Sequence, residues 1–110
     1  MQFHRQTILI ELYDIEVQFG GVEEMRQEEY VQSKLDEGSK VTAMTWMDNG
    51  VIKLAYSDSL NLKVLAHEIV HIVNLIFRTK GIQLDLNNDE PQAYLTGWLT
   101  QELHQRIFNY

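Results

Sequence analysis

The segment from residue 60 to 77 is apolar at most positions, and it constrains the fold of this 110-residue chain more than any other. Asp58 or Ser59 can cap a helix there that runs to about Lys80, and Gly81 suits a left-handed cap after it. A helix that is apolar on nearly all sides has to lie buried at the centre of a domain. Its apolar residues are Leu60, Leu62, Val64, Leu65, Ile69, Val70, Ile72, Val73, Leu75, Ile76 and Phe77.

Three of the few polar residues in this helix form the pattern HExxH: His67, Glu68 and His71. Residues four apart lie on one face of a helix, so both imidazoles can reach one metal ion. Glu68 follows His67 directly and can lean over an open coordination position, where a water would bind. Because burying these groups without partners would be costly, the pattern predicts a zinc site of the hydrolytic kind.

A carboxylate from the next helix is the expected third ligand. We predict Glu90, in the first turn of that helix, because a short return can bring it back to His71. Two imidazoles and one carboxylate, with a fourth position left for water, are typical of catalytic zinc. The alternative for Glu90 is an acidic residue that complements the helix dipole. Asp89 is the foremost fallback ligand, ahead of Asp85 and Glu102.

The segments before this helix predict strands and a further helix. Residues 7–19 are rich in β-forming residues and predict one strand, with a break near Asp14 as the alternative. Residues 22–37 predict a helix that ends at Gly38. Residues 40–47 and 51–56 flank Asp48-Asn49-Gly50, a strong signal for a β-hairpin.

The last helix is predicted to begin near Asp89, with Gln92 as its capping-box partner and Pro91 in its first turn. Its apolar stripe is Ala93, Tyr94, Leu95, Trp98, Leu99, Leu103 and Ile107. The element order β-α-β-β-α-α predicts a single α+β domain, in which a small antiparallel or mixed sheet packs on the central helix and the last helix.

Composition narrows the function classes. The chain has no cysteine, so nitrogen and oxygen atoms must hold any metal. The net charge of −7 argues against a nucleic-acid surface. Residues 1–5 are too polar for a signal peptide, and no apolar run reaches membrane-spanning length, which predicts a cytoplasmic protein.

The residues from Val64 to Val73 and the run Glu90-Pro91-Gln92-Ala93-Tyr94 resemble the gluzincin class of metallopeptidases. A downstream Glu-x-x-Ala also looks similar to HtpX-like and ImmA/IrrE-type proteases, and the combination resembles small proteins of phages and prophages. The resemblance implies a minimal zincin-like domain in a bacterial or phage-infected host cell. It also implies that His67, His71 and Glu90 bind zinc.

In the same resemblance Glu68 is the general base that acts on a peptide or protein substrate. Many gluzincins have Asp where this chain has Tyr94, which makes Tyr94 a further catalytic candidate that could bind a ligand or an oxyanion, or merely pack. The alternative function is a non-catalytic, zinc-stabilised phage protein that binds a host protein. A third reading is that HExxH is accidental and no metal is bound.

Overall fold

A four-stranded mixed sheet with the strand order β1-β2-β4-β3 forms the frame of the protein. The computed structural model describes residues 1–38 and 40–109. Over these residues the strands are β1 (Gln6–Ile10), β2 (Ile15–Gly21), β3 (Ala43–Asp48) and β4 (Val51–Tyr56). The helices are α1 (Glu29–Asp36), α2 (Leu62–Thr79) and α3 (Glu90–Phe108). The predicted α+β class is therefore confirmed.

The break predicted near Asp14 divides the N-terminal segment into an antiparallel hairpin. Ile10 of β1 pairs with Ile15 of β2, and a 3₁₀ turn over Glu11–Tyr13 joins the two strands. Asp14 closes this turn in the left-handed region with a φ of 49°, which Asp tolerates better than most residues. A single strand over residues 7–19 is thus the wrong description.

Helix α1 is shorter than the predicted helix over residues 22–37. Residues 22–28 form turns that are fastened to the sheet, because the Val22 N–H donates to the Tyr56 carbonyl at 2.8 Å. Met25 is fully buried in these turns. Gly38 follows the helix with a φ of 72°, so the predicted glycine stop is confirmed.

The predicted hairpin at Asp48-Asn49-Gly50 is confirmed. Asn49 and Gly50 both have positive φ values, 52° and 78°, as a type I′ turn requires. Strand β4 also pairs in parallel with β2, and this long-range pairing joins the two hairpins into one sheet. Strands β1 and β3 are its two edges.

Alternation along the strands divides the core between the two faces of the sheet. On one face, α2 and α3 pack on the side chains of all four strands. On the other face, α1 and the preceding turns cover only β3 and β4. The buried strand residues of the first face are Ile8, Ile10, Ile15, Val17, Phe19, Ile52, Leu54 and Tyr56. The second cluster comprises Met25, Val31, Met44, Trp46 and Ala55.

Helix α2 buries one side only, which corrects the prediction that it is enclosed all round. Val70 is 50% exposed and Leu62 is 61% exposed, because no element covers that side. The helix is capped by Asn61, whose Oδ1 accepts from the Val64 N–H at 2.9 Å, and not by Asp58 or Ser59. No helix in the described residues is long and apolar enough to cross a bilayer.

Helix α3 begins at Glu90 with Pro91 in its first turn, as predicted, but Asp89 makes no side-chain cap hydrogen bond, so the predicted capping box is absent. Its buried stripe is Leu95, Leu99, Leu103 and Ile107. Its C-terminal end lies against the chain's N-terminus, where the Gln2 N–H donates to the Ile107 carbonyl. Its early turns lie near Tyr13, which also contacts Phe77 late in α2, so α3 runs antiparallel to α2.

Candidate metal centre

The two histidines of α2 point at a common position. Their Nε2 atoms are 3.2 Å apart, and their rings meet edge to face at an angle of 76°. Two nitrogens that each lie about 2.0–2.1 Å from a tetrahedral zinc ion are about 3.3 Å apart. The separation between His67 and His71 therefore fits the edge of a zinc coordination tetrahedron. Both side chains are exposed, so an ion can reach them from solvent.

Glu68 is the buried member of the group, with 5% of its surface exposed. Its Oε1 accepts a hydrogen bond from Thr45 Oγ1 at 2.9 Å. Its Oε2 lies 3.8 Å from His67 Nε2. The ligand atoms of His67, Glu68 and His71 all lie within 4.8 Å of one another. The hydrogen bond from Thr45 thus holds one carboxylate oxygen and leaves the other beside the imidazoles.

Thr45 is a site residue that the sequence analysis missed. It lies on edge strand β3 opposite Leu54 of β4, on the face that α2 covers. Its neighbours Met44 and Trp46 are buried on the other face with α1. The alternation of Met44, Thr45 and Trp46 is a signal in the sequence, since it places the hydroxyl on the opposite face from the two large side chains.

A cavity of about 500 Å³ lies over the histidines, between the outer side of α2 and the edge strand β3. The continuous run of β3 from Ala43 to Trp46 forms one wall, and Tyr30 stacks on Trp46 with 4.9 Å between ring centroids. The outer row of α2 forms the other wall: His67, Glu68, His71, Asn74, Leu75 and Arg78. We call this cavity the β3 cleft.

Asn74 lines the β3 cleft one turn beyond His71. Its Oδ1 is buried and has no hydrogen-bond partner among the described residues, so this oxygen is not presented to the open cleft. The groups that lie close together there are the two imidazoles and the carboxylate of Glu68. These nitrogen and oxygen atoms fit a metal such as zinc.

The predicted third ligand and Tyr94 lie elsewhere. Glu90 is exposed at the start of α3 and is not part of the close group of ligand atoms. Tyr94 is 70% exposed and lines a different cavity with Tyr13 and Trp98. Tyr94, Leu95 and Trp98 lie with Tyr13 near Phe77, and α3 runs antiparallel to α2, so the first turn of α3 lies towards the C-terminal end of α2 and away from His71.

The fallback ligands also lie outside the group. Asp85 and Asp89 are exposed in the segment between α2 and α3, and Asp85 accepts a hydrogen bond from the Asn87 N–H. Glu102 pairs with Arg106 on α3 at 3.5 Å. The structure therefore brings together the HExxH residues but none of the predicted third ligands.

No family model, curated protein or solved structure matches this chain. The likeness to gluzincins consequently stays a prediction from the motif and the Glu90–Tyr94 run. Function is therefore inferred from the geometry of the β3 cleft.

Proposed function

We propose that this chain is a zinc-dependent peptidase-like hydrolase whose active site is the β3 cleft. The observation that carries the proposal is the pair of Nε2 atoms at 3.2 Å beside a buried carboxylate that Thr45 holds. His67 and His71 are the proposed ligands. Glu90, the third ligand that the sequence predicts, lies outside their group, so it could complete the site only if the start of α3 approached the histidines. A cytoplasmic location and a phage or prophage origin belong to the same proposal.

Zinc bound there supplies a Lewis acid that activates a water and polarises a carbonyl group. Side chains of the protein would then carry out the proton transfers. Oε2 of Glu68 would accept one proton from the attacking water as the water oxygen bonds to the scissile carbonyl carbon. Glu68 would then give that proton to the amide nitrogen, and the C–N bond would break to release the amine. Thr45 keeps the carboxylate oriented, because Oε1 is occupied by its hydroxyl.

The free edge of β3 is the proposed binding surface for the substrate. An extended peptide can pair its backbone with an exposed strand edge, and the adjacent side chains then provide specificity. Residues 43–46 line the cleft along its length, opposite the histidines. A peptide paired there would pass directly over Glu68.

Metal analysis and a peptide-cleavage screen test this proposal. We expect purified protein to bind about one zinc per chain. His67→Ala should lose it, whereas the matched control His104→Ala, an exposed histidine on α3, should keep it. Glu68→Gln should retain zinc and the melting temperature but abolish cleavage across a broad peptide library. The hydrolase proposal would be refuted if Glu68→Gln still cleaved peptides, or if the wild-type protein bound zinc and cleaved none of them.

The third ligand needs its own comparison. Glu90→Ala should lower zinc affinity by about tenfold or more, and Asp89→Ala should leave it unchanged. Equal affinity in wild type and both variants would remove Glu90 from the site.

A non-catalytic zinc protein that binds a host partner is the second candidate. The separation of Glu90 from the histidines favours it, since a pair of ligands can stabilise a fold without forming an active centre. Partner binding would then survive Glu68→Gln and depend on His67 and His71. In the hydrolase, function is lost with Glu68→Gln even though metal remains.

A further inference from the structure

We propose that the β3 cleft selects acidic polypeptide segments, and that Lys63 and Arg78 are the residues that determine this specificity. The inference deepens the proposed function and uses the same cleft. It depends on the distribution of charge along the cleft and on the direction of β3, neither of which enters the argument for zinc.

The cleft has a cation at each end. Arg78 lines the part next to Trp46 and Asn74. Lys63 lines a continuation that includes Thr42 and shares Ala43, His67 and Glu68 with the main cavity. The two cavities therefore form one trough along the edge strand, with the histidines between its basic ends.

Both cations are unpaired with the carboxylates of the described residues. Five of the chain's nine basic residues form ion pairs with Asp or Glu: Arg5, Arg26, Lys34, Lys53 and Arg106. Lys63 and Arg78 form none and are exposed. Their charges are therefore available to a ligand.

Acidic side chains are nearly absent from the trough, although the chain has 16 of them. Glu68 is the sole carboxylate among the described residues that line it, and Glu68 is buried. Beyond Tyr30 and Trp46 a separate cavity contains Glu28, Glu29 and Asp48. Lys53 pairs with Glu28 and Asp48, which reduces their effect on the trough.

The trough matches an extended peptide in length and direction. Lys63 and Arg78 are about 22 Å apart along the helix axis, the span of about seven residues of extended chain. Strand β3 runs alongside α2 in the same sense, because Ala43 lies near Val64 while Met47 Sδ accepts from Thr79 Oγ1 at 3.5 Å. A peptide on this edge would therefore pass both cations.

The distance between Lys63 and Arg78 specifies the positions of the acidic side chains in the bound peptide. Lys63 lies about 9 Å and Arg78 about 13 Å from the midpoint of the two histidines. Together these distances span about 22 Å of extended chain, and the even separation nearest to that length is about six residues, which keeps both acidic side chains on the same face of the peptide. Two separated cations beside a strand edge suit a peptide, whereas nucleic acid requires a continuous basic surface.

Fluorescence anisotropy with zinc-loaded Glu68→Gln protein tests the proposal without cleavage. Three labelled peptides share one neutral sequence and carry Glu, Gln or Lys at two positions six residues apart, because an even separation puts both side chains on one face of an extended chain. We expect the Glu peptide to bind about tenfold more tightly than the Gln peptide and the Lys peptide to bind least. Lys63→Gln and Arg78→Gln should each weaken the Glu peptide by about threefold to fivefold and leave the Gln peptide unchanged.

Lys80→Gln is the matched control, since Lys80 is an exposed cation that lines neither part of the trough. Equal binding of the three peptides, or an equal loss with Lys80→Gln, overturns the specificity. So does tighter binding of a single-stranded oligonucleotide than of the Glu peptide.

The two proposals fail separately. Cleavage by wild type without preference for acidic peptides would overturn the specificity and leave the hydrolase. Binding of the Glu peptide that depends on Arg78, with no cleavage by wild type, would reject the hydrolase and support the specificity.

Discussion

The two edges of the sheet border cavities of opposite character. The β3 edge faces the cleft of about 500 Å³ that contains the histidines and Glu68. The β1 edge faces a groove of about 350 Å³ that is formed mainly by apolar and aromatic side chains from β1, the following turn and α3. Leu12 and Tyr94 beside this groove are 76% and 70% exposed.

The chemistry available at each free strand edge depends on the side chains of the helix beside it. Helix α2 turns a polar row towards β3, and Thr45 contacts Glu68 across the boundary. At the β1 edge, α3 offers Tyr94, Leu95 and Trp98 instead. The motif predicted from the sequence is thus divided, with HExxH at one edge and Tyr94 at the other.

Removal of a histidine should have the largest effect, because it removes the proposed metal binding that distinguishes the β3 cleft from the groove at the β1 edge. His71→Ala leaves one imidazole in the β3 cleft, and we expect zinc affinity to fall by at least about a hundredfold. Competition with a chromophoric chelator measures the affinity. His104→Ala should stay within twofold of wild type. An unchanged affinity in His71→Ala would place the metal elsewhere.

Thr45→Val tests the contact that joins the β3 edge to α2. The variant leaves Glu68 buried without its hydroxyl donor, and the loss of such a bond costs about 1–3 kcal/mol. We expect kcat to fall about tenfold with KM little changed, and Thr45→Ser to restore both kcat and stability. A change confined to the melting temperature would assign Thr45 a purely structural role.

Tyr94→Phe tests whether the β1 edge takes part in catalysis. Because Tyr94 lines no part of the β3 cleft, cleavage should change by less than about twofold and zinc content should not change. A tenfold loss of kcat at constant zinc content would restore Tyr94 as a catalytic residue and contradict the separation of the two edges.

The smallest effect is expected from Glu28, which links the two hairpins through Lys53 and Arg5. The hydrogen bond from Lys53, with the charges of Lys53 and Arg5, holds the pKa of Glu28 below its ordinary 4.5. The resulting stability is therefore present above pH 4.5 and is lost as the pH falls through the lowered pKa. Glu28→Gln should therefore reduce the fall in the free energy of unfolding below pH 4.5, as measured by urea unfolding at several pH values. The same pH dependence in the variant and wild type would show that Glu28 does not contribute.

Local signals in the sequence predicted much of the fold. Asn49-Gly50 specifies its turn through backbone preference, and the apolar periodicity around His67 and His71 gives the helix. Gly81 adopts the predicted left-handed conformation, and Gly38 follows α1 as the predicted helix stop. Each of these signals involves only a few neighbouring residues, so it can be recognised in the sequence without knowledge of the tertiary contacts.

Long-range pairing limits what the sequence predicts. The parallel pairing of β2 with β4 depends on residues far apart in the chain, and it fastens residues 22–28 as turns where periodicity predicted a helix. The exposed side of α2 and the contact between Thr45 and Glu68 follow from the position of β3 at an edge. The third ligand could not be placed, because it depends on how the connector from Gly81 to Asp89 returns α3 to α2.

The parallel pairing of β2 with β4 also has a consequence for the order of folding. The hairpin of β3 and β4 and the following helix are contiguous in sequence, and they supply every wall of the β3 cleft except Tyr30. Contacts that are local in the chain form faster than those that require closure of a long loop. The cleft can therefore assemble in the second half of the chain before the two hairpins join. Substitutions of residues at which β2 contacts β4 should then slow folding but leave the structure of the folded cleft unchanged.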